Sequence, residues 1–403
     1  MNILRQVAAI AALLILPFAA SAQLFDTKAA SAYVYDQTTG TVLLAKNADT
    51  PLPPASMSKL MTLYMAFEAV ADGRLRIDET LPVSAAAAAY GGSSMFLDTT
   101  DRVTVEDLLR GVIILSGNDA SAVLAEALSL DGTEVGFARM MTARARQLGM
   151  VNSTFKNSNG WPDPEHLMSM RDLGILADRL LTDFPTYYPL FSERSFAFDG
   201  RVPANSQNRN PILGLGIGAD GFKTGYTDQA GYGIVGSAKQ GDRRIIFVLS
   251  GMDSSQQRAE EAEKIINWAF RQFAQKQVVD AGTIVATADV WMGDLPNVGL
   301  TVENDLSLLV PLIGAANGVT AEVVYTGPIA APVTKGQQLG ELVITLNGLP
   351  ESRLPLVADR DVAKGGFNTR LRTAALVLWE KFAPLTPLPS LPALPDTASD
   401  APS

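Results

Sequence analysis

The sequence predicts an α+β protein in two folded parts, and three observations carry that reading. An early strand pair and a late strand pair bracket a run of helices. Past Gln275 the helical pattern gives way to short apolar runs cut by Gly, Pro and Asn, as in a small all-β module. An amphipathic stretch then precedes a Pro-rich end. At 403 residues the chain has room for a large core and a second module. The expected division is a leader at 1–22, a first domain at 23–275, the β module at 276–360, an amphipathic helix at 361–383 and a tail at 384–403.

The leader has three parts. Arg5 supplies a positive start, Val7 to Phe18 a short apolar core, and Ala20-Ser21-Ala22 a small-residue cleavage site. This is the pattern of a secretory signal peptide, with Gln23 as the first mature residue. Ala32 to Ala45 then reads as a hairpin, with alternating Ala32, Val34, Val42 and Leu44 around Thr38-Thr39-Gly40. Ser58 to Ala71 reads as an apolar helix stopped by Gly73, and Thr104 to Leu115 as a helix opened by Thr104. Ser121 to Leu128, Val135 to Leu148 and Met170 to Thr182 follow as helices. Gly231 to Ala238 and Arg243 to Ser250 are the late strands. Glu260 to Gln275 is a helix with Ile265, Trp268, Ala269 and Phe273 on one side. In the β module, Leu306 to Leu312, Ala321 to Tyr325 and Glu341 to Leu346 are typical strands. From Ala363 to Ala383 a helix would set Phe367, Leu371, Leu378, Trp379 and Phe382 against a polar face carrying Lys364, Arg370, Arg372 and Lys381. Pro384 to Ser403 has the composition of a disordered tail.

Composition narrows the chemistry. The net charge of -10 argues against nucleic acid as a partner, because phosphate binding needs concentrated Lys and Arg. There is one histidine, His166, and no cysteine. Disulfides and thiol catalysis are therefore excluded. No His/Cys metal cluster can form, and neither a metal nor another cofactor is called for.

Three short motifs could carry a reaction. The first is Ser56-Met57-Ser58-Lys59 at a helix start. A serine hydroxyl needs a base to become a nucleophile. One helical turn brings the Lys59 amine within reach of Ser56, and a desolvated lysine near other cations can lose its proton. The second is Ser116-Gly117-Asn118, a hydroxyl and a carboxamide offered from a loop. The third is Lys223-Thr224-Gly225 at the opening of the late strands, where a cation, a hydroxyl and a bare backbone could receive an extended peptide. Each alone is commonplace: a capped helix, a turn, a strand with a solvated lysine. Their order together is the signature of class A β-lactamases and penicillin-binding proteins.

With these motifs and their flanks, the chain resembles the low-molecular-mass penicillin-binding proteins of the 5/6 type, the D-alanyl-D-alanine carboxypeptidases of peptidase family S11. The flanks are Pro54-Ala55 and Leu60-Met61-Thr62, Gly92-Ser93-Ser94-Met95-Phe96-Leu97, Leu115 and Asp119-Ala120. They continue with Asn208-Arg209-Asn210, Asp220-Gly221-Phe222, Tyr226-Thr227 and Ala230-Gly231-Tyr232. The resemblance implies a serine β-lactamase/DD-peptidase-like domain, an antiparallel sheet with a helical cluster, followed by the β domain and a helix lying on the inner-membrane surface. It implies Ser56 as the acylated nucleophile, Lys59 as general base and Ser116 as proton shuttle. Asn118 would hold the substrate amide, and Lys223, Thr224, Gly225 and Arg209 would bind the substrate's carboxylate end. The implied substrate is a peptidoglycan pentapeptide stem ending in D-Ala-D-Ala, β-lactams would acylate the same serine, and the implied location is the periplasm. A DD-endopeptidase, a β-lactamase, or a binding scaffold with a degenerate site are the other readings.

Other residues are expected to be structural. His166 sits in a proline-rich loop and is read as shaping it. Glu165 is followed by His166-Leu167-Met168 and lacks the Glu-x-x-Leu-Asn context of a deacylating glutamate. Asp119 is read as a helix cap, and Met57, Met61 and Met65 as core. Two departures from relatives stand out: Tyr226 follows the Lys223-Thr224-Gly225 motif where some carry histidine, and Gly251-Met252-Asp253-Ser254 lacks a basic residue.

Overall fold

The computed structural model describes residues 25–312, 319–346 and 351–367. The expected leader, the residues beyond Phe367 of the expected amphipathic helix, and the expected tail lie outside them.

β1 (Ser31–Asp36) and β2 (Thr41–Lys46) form the predicted hairpin. Its turn is set by Asp36, whose Oδ1 accepts from the Thr39 N–H at 2.9 Å and the Thr39 hydroxyl at 2.8 Å. A 3-10 turn, Ala55–Ser58, leads into α1 (Lys59–Ala71). Leu60, Met61, Leu63, Tyr64, Ala66 and Phe67 are all buried, so α1 is enclosed nearly all round and forms the axis of the helical cluster. β3 (Thr80–Pro82), α2 (Ala85–Ala88), β4 (Arg102–Thr104), α3 (Val105–Arg110), α4 (Asn118–Leu128), α5 (Glu134–Gln147) and α6 (Met170–Asp183) follow. The Thr104 cap is as expected, its hydroxyl accepting from the Asp107 N–H at 3.1 Å. The helix it opens is not continuous to Leu115. α3 ends at Arg110, and Gly111–Leu115 widens into a π-helical turn that delivers Ser116 in a left-handed conformation, φ 61°. Met95 packs so close on Gly111 that a Cβ there would lie 1.9 Å from its sulfur.

The late strands number three. β5 (Ala219–Thr227), β6 (Gly231–Gln240) and β7 (Arg243–Met252) join the hairpin in one antiparallel sheet of order β2-β1-β7-β6-β5. Lys223-Thr224-Gly225 therefore lies inside its own edge strand rather than opening the pair. Strand alternation divides the core. Tyr33, Val235, Ile246 and Val248 pack on the helical cluster, while Ala32, Val34, Ile234, Phe247 and Leu249 pack on α7 (Ser255–Arg271).

The predicted helix to Gln275 stops at Arg271. Phe273, set edge-on to Trp268 and buried with α7, starts β8 (Phe273–Val279) instead. β8 pairs with β11 (Leu306–Pro311). β9 (Ile284–Trp291), β10 (Asn297–Thr301), β12 (Val319–Tyr325), β13 (Ile329–Ala330), β14 (Gln338–Leu346) and β15 (Ser352–Ala358) form a second sheet, ordered β12-β14-β15-β10-β9-β13. Its core is separate, built on Val298, Leu300, Leu308, Ile344 and Leu356. The helix expected from residue 361 does not begin there. Val362 and Lys364 bridge to Val333 and Gly293, which keeps the chain extended to Gly366. Among the described residues no helix is long and apolar enough to cross a membrane.

Candidate active site

Ser56 sits on the 3-10 turn at the head of α1, between the helical cluster and β5. Two glycines let the surrounding chain close on this turn. At Gly160, φ 81°, a Cβ would lie 1.9 Å from the Ala55 carbonyl oxygen. At Gly225 a Cβ would lie 3.0 Å from the Pro54 oxygen and 3.2 Å from the Ala55 Cβ. The bare backbone of the Lys-Thr-Gly motif thus first admits the serine turn itself. Ala55 holds φ 48°, an uncommon value for a residue with a side chain, immediately before the serine.

Lys59 is fully buried. Its Nζ lies 2.8 Å from Ser56 Oγ, 2.7 Å from Asn118 Oδ1 and 2.7 Å from the Asn159 carbonyl oxygen. Burial first, then the charges of Lys223 and Arg209, hold its amine well below the ordinary lysine range. A neutral amine has two N–H donors and one lone pair. Asn118 and Asn159 offer pure acceptors for the donors, which leaves the lone pair for the Ser56 hydroxyl. This is the geometry of a base poised on a nucleophile.

The segment carrying Ser116 reaches this centre through Asn118. Ser116 is buried and left-handed. Asn118 uses both ends of its carboxamide, since Nδ2 donates to the Gly91 carbonyl at 2.8 Å while Oδ1 receives Lys59. Asp119 is not the expected cap of α4, which is Gly117; it lies in the first turn and ties the helix to another segment. Its carboxylate accepts from the Ala120 N–H, and also from the Ser94 hydroxyl and the Met95 and Leu97 N–H groups, which staples the Gly92–Leu97 wall to the helix. From β5, Lys223 is 2% exposed, and burial together with Arg209 and Arg258 draws its amine down to about 7. Thr224 beside it is buried too. Arg209 donates to the Ser93 hydroxyl, joining its loop to the same wall.

Sequence reasoning missed two contributors. One is the Asn159 carbonyl. Asn157 Oδ1 accepts from the Gly160 N–H at 2.8 Å and the Trp161 N–H at 3.1 Å, curling the loop so that this carbonyl meets Lys59. The run Asn157-Ser158-Asn159-Gly160 was a legible turn signal, but a turn does not reveal its target. The other is Arg258 on α7, which lies over the Tyr232 ring and acts on Lys223.

The residues read as structural behave so. His166 is buried edge-on to Phe155, accepts the Lys156 N–H at Nδ1, and is pushed down to about 4 by burial. Glu165 is exposed and pairs with Lys156 at 2.9 Å. Met57, Met61 and Met65 are core. Tyr226 is half-exposed, stacks on Tyr232 and donates to Asp228 at 2.7 Å.

Residues 17–254 match the model of Peptidase S11, D-alanyl-D-alanine carboxypeptidase, and residues 273–364 match that of the penicillin-binding protein 5 C-terminal domain. The chain is 34% identical to D-alanyl-D-alanine carboxypeptidase DacF of Bacillus subtilis, over 88% of this chain and 91% of that one. It is 35% identical to DacC of Escherichia coli, over 83% and 84%. Penicillin-binding protein 5 of Haemophilus influenzae superposes with a TM-score of 0.71 at 32% identity, covering 84% of this chain and 98% of that one. Penicillin-binding protein D2 of Listeria monocytogenes, in its ampicillin-bound form, matches with a TM-score of 0.55 at 31% identity over 61% of this chain and 98% of that one. On these grounds the chain belongs to the peptidase S11 family of D-alanyl-D-alanine carboxypeptidases.

Proposed function

We propose that this enzyme removes the terminal D-alanine from peptidoglycan pentapeptide stems through an acyl-enzyme on Ser56. Lys59 takes the Ser56 proton as Oγ attacks the carbonyl of the penultimate D-alanine. The backbone N–H of Ser56 and one from β5 beyond Gly225 steady the oxyanion. Ser116 passes a proton to the departing D-alanine amine, breaking the peptide bond. Asn118 holds the substrate amide, while Lys223, Thr224 and Arg209 receive the terminal carboxylate. Water then hydrolyses the ester, with the same groups returning the proton to Ser56. The observation that carries this reading is the 2.8 Å contact between a buried, charge-repelled Lys59 and Ser56. A β-lactam, presenting a similar amide and carboxylate, enters the same reaction and is trapped as the ester, and the ampicillin-bound Listeria relative supports this.

We also read the chain as exported by its leader, working in the periplasm as a catalytic domain to residue 275 and a β domain to 360. The basic, apolar segment to residue 383 then rests on the outer face of the inner membrane. A fluorescent penicillin tests the chemistry. Wild-type protein takes a covalent label and Ser56→Ala does not. An unlabelled wild type overturns the reading, and rapid loss of label points to a β-lactamase. Release of free D-alanine from a D-Ala-D-Ala peptide, rather than cleavage of cross-linked dimers, identifies the carboxypeptidase.

A further inference from the structure

Trp161 is one of the few large aromatic side chains left exposed, 46% open, and it stands at the cleft. Its seat is built from glycine. At Gly92, φ 80°, a Cβ would lie 3.2 Å from the indole Cζ3 and 3.1 Å from Asn118 Nδ2. At Gly91 it would lie 3.6 Å from the indole Cη2. The ring edge thus rests on bare backbone beside the Asn118 carboxamide. Tyr90 supports it edge-on at 6.2 Å, and Tyr90 is itself fixed by donating to Glu134. The Trp161 backbone is held as firmly. Its N–H donates to the side chains of Asn157 and Asn159, and its carbonyl accepts from Asn157 Nδ2 at 2.9 Å. This loop is the one whose Asn159 carbonyl holds Lys59.

We propose that Trp161 is a specificity-determining residue, an apolar platform for the side chain of the residue that precedes the two D-alanines. The inference rests on the reading of Ser56 and Asn118 given above. If Asn118 holds the amide on the acyl side of the scissile bond, the chain beyond that amide runs over Gly91-Gly92 toward the open part of the indole. The ring edge lies against the bare backbone of Gly91 and Gly92 and the Tyr90 ring, so the group best accommodated on its open part is a methylene chain or an aryl ring. An exposed Trp lying against its own fold without such a role would discriminate nothing.

The test compares two peptides, N-acetyl-Lys-D-Ala-D-Ala and N-acetyl-Gly-D-Ala-D-Ala, with full-length wild type, Trp161→Ala and Trp161→Phe. For the wild type, kcat/KM favours the lysine peptide. In Trp161→Ala that preference falls about tenfold, the equivalent of one aromatic contact, with the loss in the lysine arm. Trp161→Phe restores most of it, which a merely structural disturbance of the loop would not do. A preference equal to wild type in Trp161→Ala, or equal losses for both peptides, overturns the platform. Labelling of all three proteins by a fluorescent penicillin is read in parallel. If the wild type takes no label, the serine reading fails and the platform falls with it. If labelling is intact and the preference does not move, only the platform fails.

Discussion

Two pairs of buried charges in the catalytic domain are treated in opposite ways. On β1 and β7, the buried Asp36 pairs with Arg243, whose side chain is 11% exposed, with Nε 2.6 Å from the carboxylate and the other carboxylate oxygen occupied by Thr39. At the cleft, Lys59 and Lys223 are as deeply buried, yet among the described residues neither makes an ion pair. Taking an ion out of water costs several kcal/mol, and a partner offsets this only with good geometry. The sheet supplies such a partner. The cleft supplies further cations instead, so its amines yield protons they would otherwise hold. Buried charge in one place holds strands together, and in the other it stores reactivity.

Two substitutions set these regions against each other. Lys59→Met should lower acylation by a penicillin about 10³-fold or more, since the serine loses its base. Its unfolding free energy should change by no more than about 2 kcal/mol. The orphaned acceptors of Asn118 and Asn159 are partly offset by replacing a buried polar amine with an apolar side chain. Asp36→Ala should do the reverse. It leaves Arg243 buried without its carboxylate and should cost about 3–5 kcal/mol of stability, while the folded fraction acylates at close to the wild-type rate. Denaturant unfolding and penicillin labelling on the same samples measure both. A Lys59→Met protein that acylates normally, or an Asp36→Ala protein as stable as wild type, would break the contrast.

The same division explains what was legible in the sequence. Hairpin, helix and strand positions follow local rules, so Thr39 in the β1-β2 turn, the Thr104 cap and the apolar runs of β6 and β7 could be read directly. The reactive residues were legible because three motifs stand in a known order, not because any one spoke for itself. What stayed hidden was long-range. The π-turn at Gly111–Leu115 depends on Met95 packing from another segment, and the stop of α7 depends on Phe273 finding a place beneath Trp268. The Asn159 carbonyl is a backbone atom and leaves no mark on residue identity. Arg258 fell before the helix expected from Glu260, and only the fold, which starts that helix at Ser255, sets it against Tyr232.

The finest test of the contrast is the pH behaviour of Lys223. Burial, Arg209 and Arg258 lower its amine to about 7 in the folded protein, against about 10.4 in an unfolded chain. Between those values the unfolded chain binds a proton that the folded one does not. Stability therefore rises with pH from about 7 to about 10 on account of this group, and is flat in it below 7. Substrate binding has the opposite sense, because a carboxylate needs the ammonium form. In free enzyme kcat/KM should fall about tenfold for each pH unit above the Lys223 value, while kcat, which reports the complex, should not follow, since a bound carboxylate raises that value again. Lys223→Arg keeps its charge throughout this range. Its kcat/KM profile should lose the descending limb even where its absolute rate is lower. Persistence of that limb in Lys223→Arg would mean that the titrating group is another one. Lys223 would then be a binding cation of ordinary basicity, and the cleft less different from the sheet than its buried lysines imply.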